Sequence, residues 1–201
     1  MNLTKHTTGL AAALALFLSA AAWTPSYSAV TITAVETGSD VVFTYSGSID
    51  LTNLGSPSPF NNLNSAIVPS AGQFQSIGST NSPNGNYYTA TFTGDAAFGS
   101  GFGVSADSST GDKFGFLKGS NLIALDASYN SNDALNGTIT YTGKTFSSLG
   151  VTAGTYVYTM TEDNSNTITM NIGSVPEPSR ALLAGLGLCG LLLRRRRVRL
   201  V

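Results

Sequence analysis

Strict alternation of apolar and hydroxyl-bearing residues late in the chain is the feature that most constrains its fold. Residues 138–142, 155–161 and 167–172 each repeat with a period of two, as expected for a β-strand with one buried face. The opposite face of these segments is almost entirely threonine. We therefore predict an antiparallel meander that forms one sheet of a β-sandwich. Its apolar face collects Ile139, Tyr141, Tyr156, Tyr158, Met160, Ile168, Met170 and Ile172.

Strand and turn signals also occur in the rest of the body. Residues 31–36 and 40–45 predict a hairpin that turns at Gly38 and Ser39. Residues 52–86, rich in Pro, Asn and Ser, predict a long loop. Further strands are predicted at residues 87–93, 101–106, 113–117 and 121–126 (the last two as a pair), and turns at residues 136–137 and 163–166. We expect an all-β fold, an antiparallel β-sandwich of eight to ten strands, jelly-roll or Ig-like, without a helix in the body.

The composition of the body excludes several kinds of chemistry. Between Val30 and Ser174 there is no His, Cys, Trp or Arg. A Ser–His or Cys–His nucleophile pair and a His or Cys metal site are therefore ruled out, as is a disulfide. The same stretch holds three lysines against ten Asp or Glu residues, and an acidic surface disfavours nucleic acid. We expect no metal, no cofactor and no enzymatic activity.

Carboxylates are the one remaining route to catalysis, since glycosidases use them in pairs. None lies in a recognisable constellation, so exposed loop carboxylates are the favoured interpretation. Calcium needs only oxygen ligands, and residues 107–112 and 130–133 are oxygen-rich. Neither segment has the spacing of a calcium-binding loop, and simple turns are favoured for both. The candidate carboxylates are Glu36, Asp50, Asp95, Asp126 and Glu162.

Three other patterns have a simpler explanation beside the functional one. Residues 99–103 superficially suggest a phosphate loop, but no helix follows them, which favours glycine in a bulged or edge strand. Asn136 begins a glycosylation sequon, yet Asn-Gly between strands indicates first a type I′ turn. Threonine rows suggest ice binding, but threonine is a common solvent-facing strand residue and no fixed-length repeat stacks the rows. Those rows contain Thr138, Thr140, Thr142, Thr155, Thr159 and Thr161.

The N-terminus has the features of a secretory signal peptide over residues 1–28. A positively charged start precedes an apolar run at residues 10–22 and a helix-breaking Pro25. Cleavage after Ser28 satisfies the small-x-small rule, whereas cleavage after Ala29 places a tyrosine at the −3 position. We therefore predict cleavage near Ser28 and Ala29. An uncleaved membrane anchor is the alternative, although the apolar run is short for a membrane span.

The C-terminus combines a proline-rich motif, a short apolar run and a basic cluster. Residues 181–193 carry no charge, and as a helix they cover about 20 Å against a hydrocarbon core of about 30 Å. With residues 179–180 and snorkelling arginines, a thinned or tilted transmembrane helix at about 179–193 is feasible. The arginines stay cytoplasmic, which leaves the body outside and agrees with the signal peptide. The motif is Val175, Pro176, Glu177 and Pro178, and the membrane stop cluster is Arg194, Arg195, Arg196 and Arg197.

The string VPEPS, the Leu-, Gly- and Ala-rich helix and the terminal RRRR together resemble the PEP-CTERM sorting signal, also called the ice-binding protein C-terminal domain. The match covers residues 174–197, and Arg180 replaces a more usual small or polar residue. The resemblance implies processing by exosortase, a membrane enzyme of the cysteine transpeptidase type, with Pro176, Glu177 and Pro178 as its recognition site. A permanent anchor with stop-transfer arginines is the alternative. Residues 111–117, 137–143 and 149–158 are similar to the bodies of many PEP-CTERM proteins, which supports a β-sandwich and implies no activity.

These features predict a signal peptide at residues 1–28, an extracytoplasmic β-sandwich at 29–173 and a sorting segment at 174–201. We expect an exported, exosortase-processed, non-enzymatic protein associated with exopolysaccharide or biofilm. Its precursor is anchored in the membrane, and its final location is the cell surface, the extracellular matrix or the medium. The alternatives are a carbohydrate- or calcium-binding module, a carboxylate-based hydrolase and an ice-binding protein. The binding module draws on the aromatic residues Tyr87, Tyr88, Phe102 and Tyr129.

Overall fold

The computed structural model describes residues 28–80, 84–162 and 166–173, and these ranges form an all-β fold of two seven-stranded sheets. Strands are numbered in chain order. Sheet I contains, in spatial order, β7 (Phe92–Gly94), β13 (Gly154–Met160), β14 (Thr167–Ile172), β1 (Ala29–Thr37), β2 (Asp40–Gly47), β12 (Leu135–Tyr141) and β9 (Ser108–Gly111). Sheet II contains β3 (Ser58–Phe60), β6 (Gly85–Thr89), β11 (Leu122–Leu125), β10 (Phe114–Leu117), β5 (Gln73–Ser76), β4 (Ala66–Val68) and β8 (Val104–Ser105).

The strand pairing is antiparallel with one exception. The first and last strands, β1 and β14, lie side by side in parallel at the centre of sheet I, from Ala29 opposite Thr167 to Ala34 opposite Ile172. The predicted β1–β2 hairpin is confirmed, and Gly38 adopts the positive φ of 65° that its tight turn requires. The predicted pairing of β10 with β11 is also confirmed.

The predicted meander is only partly correct. β13 pairs with β14 as expected, but β12 lies beyond β1 and β2 on the other side of sheet I. β14 instead lies beside β1, and both strands present apolar residues to the same core. The predicted apolar face is confirmed, with Tyr156 only partly buried and the others fully enclosed.

The core lies between the two sheets, which pack face to face through aromatic rings. Phe43 of sheet I lies 6.0 Å, centroid to centroid, from Phe74 of sheet II. Tyr45 lies 5.5 Å from Phe114 in the same way. Such ring pairs contribute about 0.5–1.5 kcal/mol each beyond their buried area. They fix how the two sheets sit against each other.

Two expectations about strand number and position are wrong. Residues 52–86 contain β3, β4 and β5, which are only three or four residues long. Residues 87–93 are not one strand, because the chain crosses from sheet II to sheet I at the fully buried Ala90. Counting such short strands raises the total above the eight to ten expected.

Local chemistry misled two further predictions. Asn136 and Gly137 lie within β12, and residues 107–112 contain β9 rather than a simple turn. A Cβ on Gly137 would collide with the Tyr45 ring, so this glycine makes room for an aromatic residue instead of forming a turn.

The body is not free of helix. α1 (Phe146–Leu149) is one turn long; the Thr145 side chain caps its start and Gly150 ends it at φ 64°. Three 3₁₀ turns lie at Pro69–Ala71, Gly78–Thr80 and Lys118–Ser120. None of the helices in the described ranges has the length and apolarity needed to cross a membrane. Residues 1–27 of the predicted signal peptide, the predicted helix at about 179–193 and residues 163–165 of the predicted turn lie outside the described residues.

Candidate functional site

A cleft of about 300 Å³ lies at the end of the sheets where β9 leads into β10 and β12 begins. We call it the polar cleft. It forms because two connections between the sheets leave a gap at this end of the molecule. The side chains that line it include Asp112, Lys113, Asp126, Ser128, Tyr129 and Asp133.

Lys113 is the buried cation of the polar cleft, with only 4% of its surface exposed. Its Nζ lies 3.3 Å from Asp126 Oδ2 and donates a hydrogen bond to the carbonyl of Asn84. A buried ammonium is tolerated when it is paired in this way. Sequence reasoning missed this role, although a lysine directly before four buried strand residues was a usable signal.

The anions of the polar cleft are held by their own loops. Asp126 Oδ1 accepts hydrogen bonds from Ser128 N at 3.0 Å and Ser128 Oγ at 2.7 Å, which lower the pKa of Asp126. Asp133 Oδ2 accepts from both nitrogens of Asn130 at 3.0 Å, and these bonds lower the pKa of Asp133. Both carboxylates are therefore ionised at neutral pH, a state that suits a base or a ligand and not a general acid.

Tyr129 forms the aromatic side of the polar cleft. Its hydroxyl accepts a hydrogen bond from Ile49 N at 2.8 Å and lies 2.9 Å from the Asp133 carbonyl, to which it donates. Burial is the main cause that raises the pKa of Tyr129. The ring thus connects the loop after β2 to the loop before β12. Of the four aromatic residues on which the binding-module alternative draws, Tyr129 is the one that lines the cleft.

The other three aromatic residues do not join it. Tyr88 is buried in the core. Tyr87 points to the other face of β6 and packs on Phe60, with ring centroids 4.3 Å apart. Phe102 is 84% exposed on the loop before β8. The structure therefore does not bring these four aromatic residues together at one site.

Every acidic side chain in the described part of the body accepts a hydrogen bond from a backbone N–H. The five candidate carboxylates act in this way on five different elements, and the other four do so as well. No group of three or more His, Cys, Asp or Glu residues in the described ranges is arranged to hold a metal ion. The pairs are Glu36 with Phe146, Asp40 with Gly143, Asp50 with Thr52, Asp95 with Val157, Asp107 with Thr142, Asp112 with Asn136, Asp126 with Ser128, Asp133 with Asn130 and Glu162 with Thr91.

A second polar group, which we call the entry cluster, lies where the chain enters β1. It consists of Ser28, Asp50, Ser131, Asn132 and Asn166. Asn166 is fully buried, its Nδ2 donates to the Asp50 carbonyl at 2.8 Å, and its Oδ1 accepts from Asp50 N at 2.9 Å. Asp50 Oδ1 accepts from Ser131 Oγ at 2.7 Å, and the Ser28 hydroxyl donates to Asn132 Oδ1. The cluster ties the starts of β1 and β14 to two loops.

The glycines of residues 99–103 serve backbone packing. Ser100 N and Gly101 N both donate to the Gly150 carbonyl, at 2.9 and 3.0 Å, and Gly99 forms an isolated bridge with Val151. A Cβ on Gly101 would collide with the Leu149 carbonyl. The segment is therefore neither a regular edge strand nor a cradle for phosphate.

The threonine face of sheet I is more regular than the sequence indicated. Strand register places one uncharged row of side chains directly opposite one another across six adjacent strands. The row runs through Thr155, Asn171, Thr33, Thr44, Thr138 and Thr110. Adjacent strands lie about 4.8 Å apart, so these side chains are near neighbours.

The predicted processing sites lie at the edges of the described chain or beyond them. Ser28 is buried, and Ala29 is the first residue of β1. Gly173 N donates to the Ala34 carbonyl at 2.9 Å just after β14 ends. Two predicted features lie outside the described residues. They are the predicted sorting motif Val175, Pro176, Glu177 and Pro178 and the predicted stop cluster Arg194, Arg195, Arg196 and Arg197.

No protein-family model, no curated protein and no solved structure matches this chain.

Proposed function

We propose that this chain is an exported, exosortase-processed and non-enzymatic protein of the cell surface or extracellular matrix. The observation that carries the proposal is the joint occurrence of the VPEPS motif, the short apolar run and the arginine cluster directly after a folded body. One residue, Ser174, separates Gly173 from the motif, which is about 7 Å of extended chain. The body would therefore be presented to the sorting enzyme at the membrane surface.

The chemistry of the motif supports recognition as an extended peptide. Pro176 and Pro178 fix φ and disfavour helix in the residues before them. An extended segment just outside the bilayer suits a protease-like cleft, while Arg194, Arg195, Arg196 and Arg197 hold the helix in place. β14 is hydrogen-bonded on both sides, to β13 and β1, so it cannot be peeled from the sheet as an edge strand can. The cut would therefore fall after Gly173.

The environment of the carboxylates supports a non-enzymatic role. The nine described acidic side chains already accept hydrogen bonds from backbone amides. In the polar cleft, the pKa values of Asp126 and Asp133 are lowered. A carboxylate-based hydrolase needs one carboxyl group with a raised pKa to act as the acid. The structural use of these groups favours a scaffold or binding protein.

We further propose that the two packed sheets are a β-sandwich of jelly-roll or Ig-like type. In the precursor it would be flanked by the signal helix and the transmembrane helix. The uncharged row on sheet I is a broad hydroxyl-bearing surface on an otherwise acidic protein, and it suits contact with a neutral exopolysaccharide. After release from the membrane, the protein would stay on the cell surface, in the matrix or in the medium.

The test is the mass of the C-terminus in the native host. Replacement of Pro176, Glu177 and Pro178 with alanine, or deletion of exosortase, is expected to leave the tail on the recovered protein. The wild-type protein should lack the tail, and so should the control Arg180→Ala. A tail-less protein that reaches the same location without exosortase would refute the proposal.

A carbohydrate- or calcium-binding module is the second candidate, and the polar cleft is the observation that favours it. Its loop oxygens and the Tyr129 ring could contact a sugar or a hydrated cation. A glycan array and calorimetry with calcium chloride test this. Asp133→Asn should weaken a genuine interaction, while Asp107→Asn, outside the cleft, should not. The absence of binding in both assays would exclude this candidate.

A further inference from the structure

We infer that the signal peptide is cut upstream of Ser28, at the Ala22–Trp23 bond, and that Ser28 stays in the mature protein as part of its fold. This goes beyond the proposed sorting function and rests on its export step. It also moves the cut away from the site that the small-x-small rule alone indicated near Ser28 and Ala29.

Ser28 behaves as a structural residue of the folded body. It is 4% exposed, and its hydroxyl donates to Asn132 Oδ1. Its carbonyl accepts a hydrogen bond from Thr167 N at 3.1 Å, at the start of β14. Serine is usually exposed, and buried polar groups with two partners are integral to a fold.

The partner of Ser28 is itself held in an unusual conformation. Asn132 has a φ of 67°, in the left-handed region that non-glycine residues seldom adopt. Its N–H donates to the Ile49 carbonyl at 2.9 Å, which fixes the turn. In this turn the Asn132 side chain presents its Oδ1 to the Ser28 hydroxyl.

Cuts at the two downstream bonds would damage the centre of sheet I. A cut after Ser28 removes its hydroxyl and carbonyl, and leaves Asn132 Oδ1 and Thr167 N without their partner. A cut after Ala29 also removes the carbonyl that Ser48 N binds at 3.2 Å. It would place a charged ammonium on Val30, a fully buried residue between β2 and β14. An upstream cut leaves all of these contacts intact.

The sequence offers a suitable bond upstream. Ala20 and Ala22 satisfy the small-x-small rule directly after the apolar run. Signal peptidase would hydrolyse the Ala22–Trp23 amide, with one water molecule giving the Ala22 carboxylate and the Trp23 ammonium. The mature chain would then begin with Trp23 and keep residues 23–27 ahead of Ser28.

N-terminal sequencing and intact mass of the exported full-length protein test the position of the cut. We expect Trp23 as the first residue; Ala29 or Val30 in that place would overturn the inference. The C-terminal mass of the same molecules reports the exosortase step separately. A trimmed tail together with an N-terminus at Ala29 would therefore overturn this inference and leave the sorting function standing.

Two matched precursor variants locate the recognition residues. Ala20→Leu fills the −3 position of the Ala22–Trp23 bond and should lower the yield of processed protein at least about tenfold. Ser26→Leu fills the −3 position of the bond after Ser28 and should leave processing unchanged. The reverse pattern would contradict the inference.

The structural role of Ser28 is tested on the exported protein. Ser28→Ala should raise the unfolding equilibrium constant about fivefold, the usual size of one lost hydrogen bond. The double variant Ser28→Ala, Asn132→Ala should lose less stability than the sum of the losses in the two single variants, because each single change already removes the same hydrogen bond. An effect of Ser28→Ala below about twofold would overturn the structural role.

Discussion

Replacing Asn166 with alanine is expected to destabilise the protein by about 2–4 kcal/mol. Asn166 is fully buried, and its side chain pairs with both the N–H and the carbonyl of Asp50, at 2.9 and 2.8 Å. Alanine removes both bonds and leaves two part-buried backbone groups without a partner. Each such group costs about 1–2 kcal/mol, within the range for unsatisfied groups. The two together give the expected loss.

Urea unfolding followed by circular dichroism measures this loss. With a slope of about 2 kcal/mol per molar urea, a loss of 3 kcal/mol lowers the midpoint by about 1.5 M. Asn171→Ala is the matched control in the same region. Asn171 accepts one exposed hydrogen bond, from Thr155 Oγ1 at 3.0 Å, so its replacement should cost less than about 0.5 kcal/mol.

Equal midpoints for the wild-type protein and the Asn166→Ala variant would refute this reasoning. Equal losses for the Asn166→Ala and Asn171→Ala variants would refute it as well, since burial and the pairing with Asp50 distinguish the two positions. A change in the slope would show that the substitution altered the unfolded state instead.

Three other outcomes are expected from the structure. Gly137→Ala should cost about 1–3 kcal/mol in thermal melts because its Cβ collides with the Tyr45 ring. Gly103→Ala, whose Cβ would meet one valine methyl at 3.6 Å, should be nearly neutral, and equal losses would be evidence against the clash. Phe98→Ala should cost about 3–5 kcal/mol because the ring is fully buried, and Phe102→Ala, at 84% exposure, less than about 0.5 kcal/mol in urea unfolding. Stability should be constant above about pH 5 and fall below about pH 4, because carboxylates with lowered pKa values take up protons more readily in the unfolded chain; a flat urea midpoint from pH 6 to pH 3 would contradict this. The shifted aspartates are Asp50, Asp126 and Asp133, each with its pKa lowered by hydrogen bonds from nearby side chains and amides.

The sequence predicted local features of the fold well. Period-two alternation identified the buried faces of β13 and β14, because a strand places successive side chains on opposite faces. Gly38 marked the first hairpin for a similarly local reason. The position of β12 was not predictable in this way, since its neighbours depend on which distant strands share the core.

Spatial demands overrode local chemistry where predictions were wrong. Gly137 follows asparagine, as in a hairpin turn, yet its lack of a side chain serves the Tyr45 ring from a neighbouring strand. The three strands hidden in residues 52–86 are three or four residues long, which is at most two periods of alternation. The buried side chains of these three strands are covered because the strands belong to sheet II, which packs on sheet I.

The candidate site was less predictable than the fold. Four of the five candidate carboxylates were correctly predicted as loop residues, the exception being Glu36 in β1. Asp112, Asp126 and Asp133, however, meet at the polar cleft only through two crossings between the sheets. Asn132 and Asn166 carried no sequence signal, because their roles depend on backbone groups far along the chain. The candidate sorting motif is a contiguous string, which is why the sequence alone could suggest it, and it stays a prediction.

Because β14 pairs with β1 on one side and with β13 on the other, it connects two groups of strands in sheet I. In sheet I, β14 is the element that joins β7 and β13 to the other four strands. A chain that stops before Thr167 would leave two separate strand groups with open edges prone to aggregation. β1 must therefore wait for β14, so sheet I closes only after the chain has been made at least as far as Ile172.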